Sequence, residues 1–175
     1  TLHPEKTRLI EFGRYAARNR KRRGLGKPET FTFLGFTFIC GISRRGYFLI
    51  HRKSRRDRMT TKLKEIKEEL RRRMHQPIPE QGKWLKQVVT GYFAYHAVPT
   101  NSRALATFRY HVTNLWRRTL RHRSQKDDTT WDRIKKLADD YGTDARDEIF
   151  RALRNELERT PLWLIFRHGL QVRGL

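Results

Sequence analysis

Two carboxylate pairs, Asp127–Asp128 and Asp139–Asp140, are the side chains here best suited to metal-assisted chemistry. Clustered carboxylates can hold the two cations that activate a hydroxyl and stabilise a leaving group in phosphoryl transfer. Their setting points elsewhere: the first pair lies before a helix start and the second at a helix end, positions of capping and solvated acids. Seven histidines raise a metal or nuclease hypothesis. His96 and His111 fall on different helices, however, and no His-x-x-x-His pair sits within one. Gly24-Leu25-Gly26-Lys27 lacks the spacing and the Ser/Thr of a nucleotide-binding phosphate loop. Cys40 is the single cysteine, so neither a disulfide framework nor a multi-cysteine zinc site can form, and it reads as a small apolar strand residue. No catalytic residue, metal or cofactor is assigned to this chain.

Cations dominate instead. The net charge of +22 and pI near 11.1 call for a polyanion, with RNA or DNA the leading class. The charge is uneven: residues 1–126 hold 31 Lys+Arg against 8 Asp+Glu (+23), and residues 127–175 hold 9 against 10 (−1). The polyanion-binding part is therefore expected to end near Lys126. Its candidate phosphate contacts are Arg14, Arg18, Arg20, Lys21, Arg22 and Arg23 in one cluster, then Arg52, Lys53, Arg55 and Arg56. Arg71, Arg72, Arg117, Arg118 and Arg121 follow in a helical region. Aromatics beside cations, Tyr92 with Phe93 and Trp116 with Arg117 and Arg118, have two readings, stacking on unpaired bases or packing in a core.

The elements that carry these residues follow from periodicity. Residues 7–12 are rich in β formers and stop at Gly13, which predicts a short strand. Arg14–Lys27 reads as a basic linker, mobile until phosphates neutralise it. Phe31–Ile39 and Tyr47–Ile50 flank a turn over Gly41–Gly46 and predict a hairpin, with Gly35 in mid-strand as a bulge or a point of close backbone approach. From Met59 the period becomes helical: Met59, Leu63, Ile66, Leu70 and Met74 form one stripe, broken at Gln76-Pro77-Ile78-Pro79. Leu85, Val88, Val89, Tyr92 and Tyr95 mark a second helix. Leu105, Phe108, Val112, Leu115 and Leu120 mark a third, capped by Asn101 or Ser102. Trp131, Ile134, Ala138 and Tyr141 mark a short fourth. Beyond it, Thr143 or Asp144 starts a helix through Ile149, Leu153 and Leu157, Pro161 closes it, and Leu162–Phe166 reads as a strand. No stretch reaches the roughly 20 apolar residues that span a bilayer and no signal peptide stands out, so the chain reads as soluble, cytoplasmic and without a membrane partner.

Leu2-His3-Pro4-Glu5-Lys6-Thr7-Arg8-Leu9 and Phe31-Thr32-Phe33-Leu34-Gly35-Phe36-Thr37-Phe38, followed by basic helices ending in Trp131–Tyr141, give a more specific lead. In order and spacing this resembles the palm end, primer grip and thumb (maturase-specific, or X, domain) of group II intron reverse transcriptases, over residues about 1–141. The resemblance implies an α+β fold: a small antiparallel β region with a basic linker over 1–56, a helical thumb over 57–141, and an atypical αβ tail over 142–175. It implies binding of group II intron RNA and of the RNA/DNA template–primer, in support of splicing and reverse transcription. Leu34, Gly35 and Phe36 would grip the primer end. Lys6 resembles the palm lysine placed near departing pyrophosphate, and it reads equally as a solvated lysine at a strand start. The parent family is an RNA-directed DNA polymerase using Mg²⁺. The chain has no match to its tyrosine-x-Asp-Asp loop, so it is expected to be inactive alone and to partner the palm and fingers it lacks. A different class of function, a basic RNA-coating assembly protein with no intron role, also fits the composition.

Overall fold

A computed structural model describes residues 8–123 and 129–141. They form an α+β fold of one three-stranded antiparallel sheet and five helices, and the chain divides between Arg55 and Arg56 into two compact units. Lys6, the Asp127–Asp128 pair and the expected helix and strand of the tail lie outside the described residues.

The first unit carries α1 (Ala16–Arg22), β1 (Phe31–Phe33), β2 (Phe36–Ile42) and β3 (Phe48–Ser54), with the strands in that order across the sheet. Leu34 and Gly35 join β1 to β2 with φ of 45° and 75°, and Phe33 pairs with Phe36 across them. Two successive positive φ values define a type I′ turn, whose twist matches that of the flanking strands. Gly35 is thus the second corner of a tight turn and not a mid-strand residue. β2 and β3 join through a loop closed by Ser43 N donating to Tyr47 O at 2.7 Å.

Strand register sorts the side chains into two faces. Phe31, Phe33, Phe36, Phe38, Cys40 and Ile42 alternate onto one, with Phe48 and Ile50 of β3 beside them. There Phe31 stacks on Phe38 with centroids 4.9 Å apart, and Phe12 meets Phe31 edge-on. Gly13 N donates to Cys40 Sγ at 3.4 Å. Residues 8–12, expected as a strand, take no strand conformation; Phe12 and Gly13 are held by these side-chain contacts and not by a ladder. On the opposite face a Cβ at Gly41 would overlap the His51 imidazole, so glycine is what leaves room for that ring.

The basic stretch Arg14–Lys27, expected as a linker, contains α1. Two flanking acids account for its order. Arg20 Nη1 lies 3.3 Å from Glu29 and 3.7 Å from Glu11, Arg23 pairs with Glu11, and Arg8 pairs with Glu29. The hydrogen bond from Arg8, with the charge of Arg20 behind it, holds the Glu29 carboxyl below its ordinary pKa. These pairs offset the self-repulsion that would otherwise keep the segment loose.

The second unit packs α2 (Arg56–Arg72), α3 (Ile78–His96), α4 (Ser102–Arg123) and α5 (Trp131–Asp140). Its core joins Ile66 and Leu70 of α2, Leu85, Val89 and Phe93 of α3, Leu105, Phe108, Val112, Trp116 and Leu120 of α4, and Ile134 of α5. Helical spacing explains the membership: side chains three and four apart share a face. Tyr95, expected in the α3 stripe, is 54% exposed, and Phe93, four residues beyond Val89, completes the stripe instead. Pro77 precedes α3 and Pro79 lies in its first turn, where a missing backbone N–H costs nothing. Thr130 Oγ1 accepts from Arg133 N at 3.3 Å and caps α5.

Gln81, fully buried, ties three helices together. Its Nε2 donates to the carbonyls of Arg73 and Gln76, each at 3.0 Å, and to that of Met74 at 3.3 Å, at the end of α2. Its Oε1 accepts from the Trp116 indole N–H of α4 at 3.0 Å. Arg73, Met74 and Gln76 lie just past the last residue of α2, and the amide adds a donor to Arg73 O, which also accepts from Gln76 N at 3.0 Å, and to Gln76 O, which also accepts from Arg123 Nη1 at 3.2 Å. Beside this node the Tyr141 ring packs where a side chain at Gly82 would sit.

A second buried polar pair closes the α3–α4 corner, where Asn101 Nδ2 donates to His96 O at 2.8 Å. Burial holds the His96 imidazole below its ordinary pKa of 6.5. The folded state therefore resists protonation more than the unfolded chain does. The associated stability is present in full above pH 6.5 and is lost as pH falls from there through the lowered folded value. Thermal melts across this range are expected to show falling stability on acidification, with a flatter profile for His96→Gln; parallel profiles would remove His96 as the cause.

Candidate nucleic-acid interface

Phosphate recognition needs cations whose donors are not already spent on carboxylates. The structure sorts the candidates by that criterion. In the first unit Arg14, Arg18, Lys21 and Arg22 are exposed on and beside α1, and Arg14 lies over the Tyr15 ring at 6.0 Å. Arg20 and Arg23 face Glu11 and Glu29 instead, as does part of the helix's charge with them. Leu34 is exposed at the hairpin corner, Gly35 is half-buried beside it with its carbonyl accepting from Arg55 N at 3.0 Å, and Phe36 is buried. Of the second cluster, Arg52 and Arg55 are half-buried and Lys53 is exposed.

In the second unit Arg56 is exposed at the start of α2 and Arg71 near its end. Arg72 pairs with Glu69 at 3.4 Å, and Arg73 pairs with the same carboxylate at 2.6 Å while lying over the Trp84 ring at 5.1 Å. The other candidates of this unit, Arg117, Arg118 and Arg121, lie on α4. Asn114, Arg117, Arg118, Arg121 and His122 follow one another at helical spacing on the face away from the core and line an open recess of about 520 Å³. No carboxylate lies within ion-pair distance of Arg117, Arg118 or Arg121 among the described residues. The Arg117 guanidinium lies 4.8 Å from the Trp131 ring of α5, and Trp131 in turn stacks on Tyr110 at 5.5 Å and 14°. A cation set over an aromatic loses less rotamer freedom on binding.

The sequence-level candidates thus part company. Arg117, Arg118 and Arg121 are brought together; Arg20, Arg23 and Arg72 are engaged by acids. Trp116, for which base stacking was one reading, is buried and donates to Gln81, so it belongs to the core. Tyr92 stacks on Phe108 at 3.7 Å and Phe93 is buried, which also assigns that pair to packing. Trp131 and Tyr110, missed by sequence reasoning, form the aromatic support of Arg117; their signal was the stacking of α5 on α4, which no single-helix pattern shows. Among the described residues no three His, Cys, Asp or Glu side chains are grouped as a metal would require, and no helix is long and apolar enough to cross a membrane.

Comparison with protein-family models, with curated proteins and with solved structures finds no match in any of the three.

Proposed function

We propose that this chain is an RNA-binding part of a group II intron-encoded reverse transcriptase/maturase, which binds intron RNA and template–primer in support of splicing and reverse transcription. The observation that carries the reading is an ordered succession: a tight Leu34–Gly35 hairpin, then a helical unit whose outer α4 face bears Arg117, Arg118 and Arg121 without acidic partners among the described residues. That succession agrees with a primer grip followed by a thumb. Exposed Phe33, Leu34, Ile42 and Tyr47 on the sheet unit add support, since apolar strands of this kind suit burial against a palm and fingers. Mg²⁺ would belong to that catalytic palm, and the cytoplasm to a bacterial-type intron of this sort.

The test is binding to a folded group II intron RNA at several salt concentrations, with random RNA of equal length as competitor. Competitor-resistant binding with a steep salt slope is expected. Equal affinity for both RNAs would overturn the intron assignment in favour of a basic RNA-coating protein.

A further inference from the structure

Behind the arginine face of α4 lies a second recess, chemically unlike the first. It has about 510 Å³ of space, within the range of small-ligand sites, and opens between α2 and α4. Met74 and Leu115 give it an apolar floor, Lys67 and Arg71 form the α2 rim, and Arg118 and His122 form the α4 rim. The polar recess on the other side of that rim is lined by Asn114, Arg117 and Arg121 together with the same Arg118 and His122, and has no apolar lining residue. The two recesses therefore share a wall, one turn of α4 long.

Among the described residues the charges of this place are uncommitted. Lys62, Arg72 and Arg73, elsewhere on and beside α2, are paired with Glu65 or Glu69. Lys67, Arg71 and Arg118 have no carboxylate within ion-pair distance among the described residues. Thr119, whose hydroxyl donates to Leu115 O at 3.0 Å, offers no further donor to the floor. An apolar floor with cations on both rims suits a ligand that is flat and apolar in its middle and anionic at both ends. An unstacked nucleobase with its two flanking phosphates has that form. A duplex does not, because its bases are stacked inward and only the phosphate rails reach the surface.

We propose that the α2–α4 recess seats one unstacked base of single-stranded RNA on Met74 and Leu115. The flanking phosphates lie on Lys67 and Arg71 on one side and on Arg118 on the other. The strand continues over the shared wall, so that its next phosphate falls to Arg117 and Arg121. This rests on the RNA-binding reading and names the form of RNA that the second unit takes.

The experiment compares the full chain's affinity for a uridine oligoribonucleotide of about 12 nucleotides with that for an oligomer of equal length in which every base is absent. Both carry the same phosphates, so a purely electrostatic surface binds them equally. Loss of the bases is expected to weaken binding about tenfold or more. Met74→Ser, which removes the apolar floor without adding charge, is expected to remove that difference, while binding of the base-free oligomer changes less. Because a core-adjacent variant can fail to fold, the unaltered protein is also photo-crosslinked to the same RNA carrying 4-thiouridine. Crosslinked peptides containing Met74 or Leu115 support the seat; crosslinks confined to other peptides, or equal affinity for the two oligomers, overturn it. Failure of the intron reading looks different: the protein would keep the base-dependent difference and the crosslinks yet show no preference for intron RNA over random RNA.

Discussion

Gln81→Leu is expected to destabilise the helical unit by about 3–4 kcal/mol, the largest effect of any single substitution outside the apolar core. Leucine fills much the same space but supplies neither donor nor acceptor. The carbonyls of Arg73, Met74 and Gln76 lose a shared donor, and the buried Trp116 N–H loses its acceptor. The buried Trp116 N–H left unmade costs about 1–3 kcal/mol and the lost amide bonds add the rest, although Arg73 O and Gln76 O keep Gln76 N and Arg123 Nη1 as donors. For a unit of this size the melting temperature falls by roughly 15–25 °C. Trp116→Phe removes the indole donor together with part of a buried ring, so its own cost includes a small cavity. The double variant is then less harmful than the sum of the two, because the orphaned N–H of the first no longer exists. Thermal or urea unfolding of the four proteins completes the cycle, and strict additivity would show that the Gln81–Trp116 hydrogen bond contributes nothing. The partners fix the amide's orientation, since one end meets only acceptors and the other a donor.

Replacing Arg71, Arg118 and Arg121 together by Gln is expected to lower affinity for RNA on the order of a hundredfold near 0.15 M salt, and to flatten the salt dependence by about two to three units. Each phosphate contact releases close to one counterion, so removing three contacts removes that many from the slope. All three side chains are exposed and none packs in the core, so folding is expected to survive. The contrast lies with Arg20, Arg23 and Arg72, which face Glu11, Glu29 and Glu69. Their triple replacement subtracts the same formal charge but is expected to change the slope by less than about one unit. Equal slopes for the two triple variants would mean that net charge alone governs binding and that the α4 face has no special part in it.

Those two triads also mark where sequence reading stops. Both are arginines in basic clusters, and charge counting treats them alike. What separates them in the first unit is pairing across the chain, Arg20 with Glu29 and Arg23 with Glu11, which leaves no periodic trace; the pairs of Glu69 with Arg72 and Arg73 do follow helical spacing, but spacing does not show which cations one carboxylate takes. The helices were legible for the opposite reason. Ile66 and Leu70, Leu105 with Phe108 and Val112, and Ile134 with Ala138 repeat at the helical period and land in the core. Trp116 sits beside the expected α4 stripe and is buried because Gln81 from another helix meets its N–H. The Leu34–Gly35 corner was hidden too, since leucine seldom takes positive φ and the usual Asn-Gly or Asp-Gly signal is missing. Of the proposed interface, sequence named most of the cations, and the structure separated those paired with acids from the rest. The recess between α2 and α4 needed two helices in place before Met74 and Leu115 could share a floor.

The vacancy at Gly41 beneath the His51 ring acts as a gauge of strand alignment. A slip of β2 against β3 by one residue would exchange the two faces of the sheet, and the aromatic pattern forbids it. A slip by two keeps every side chain on its own face, and hydrophobicity cannot detect the error. It would, however, bring Ile39 or Ser43 to the place where the imidazole requires an empty site. One missing methyl group thereby distinguishes the native alignment from the decoy that the repeated phenylalanines leave open.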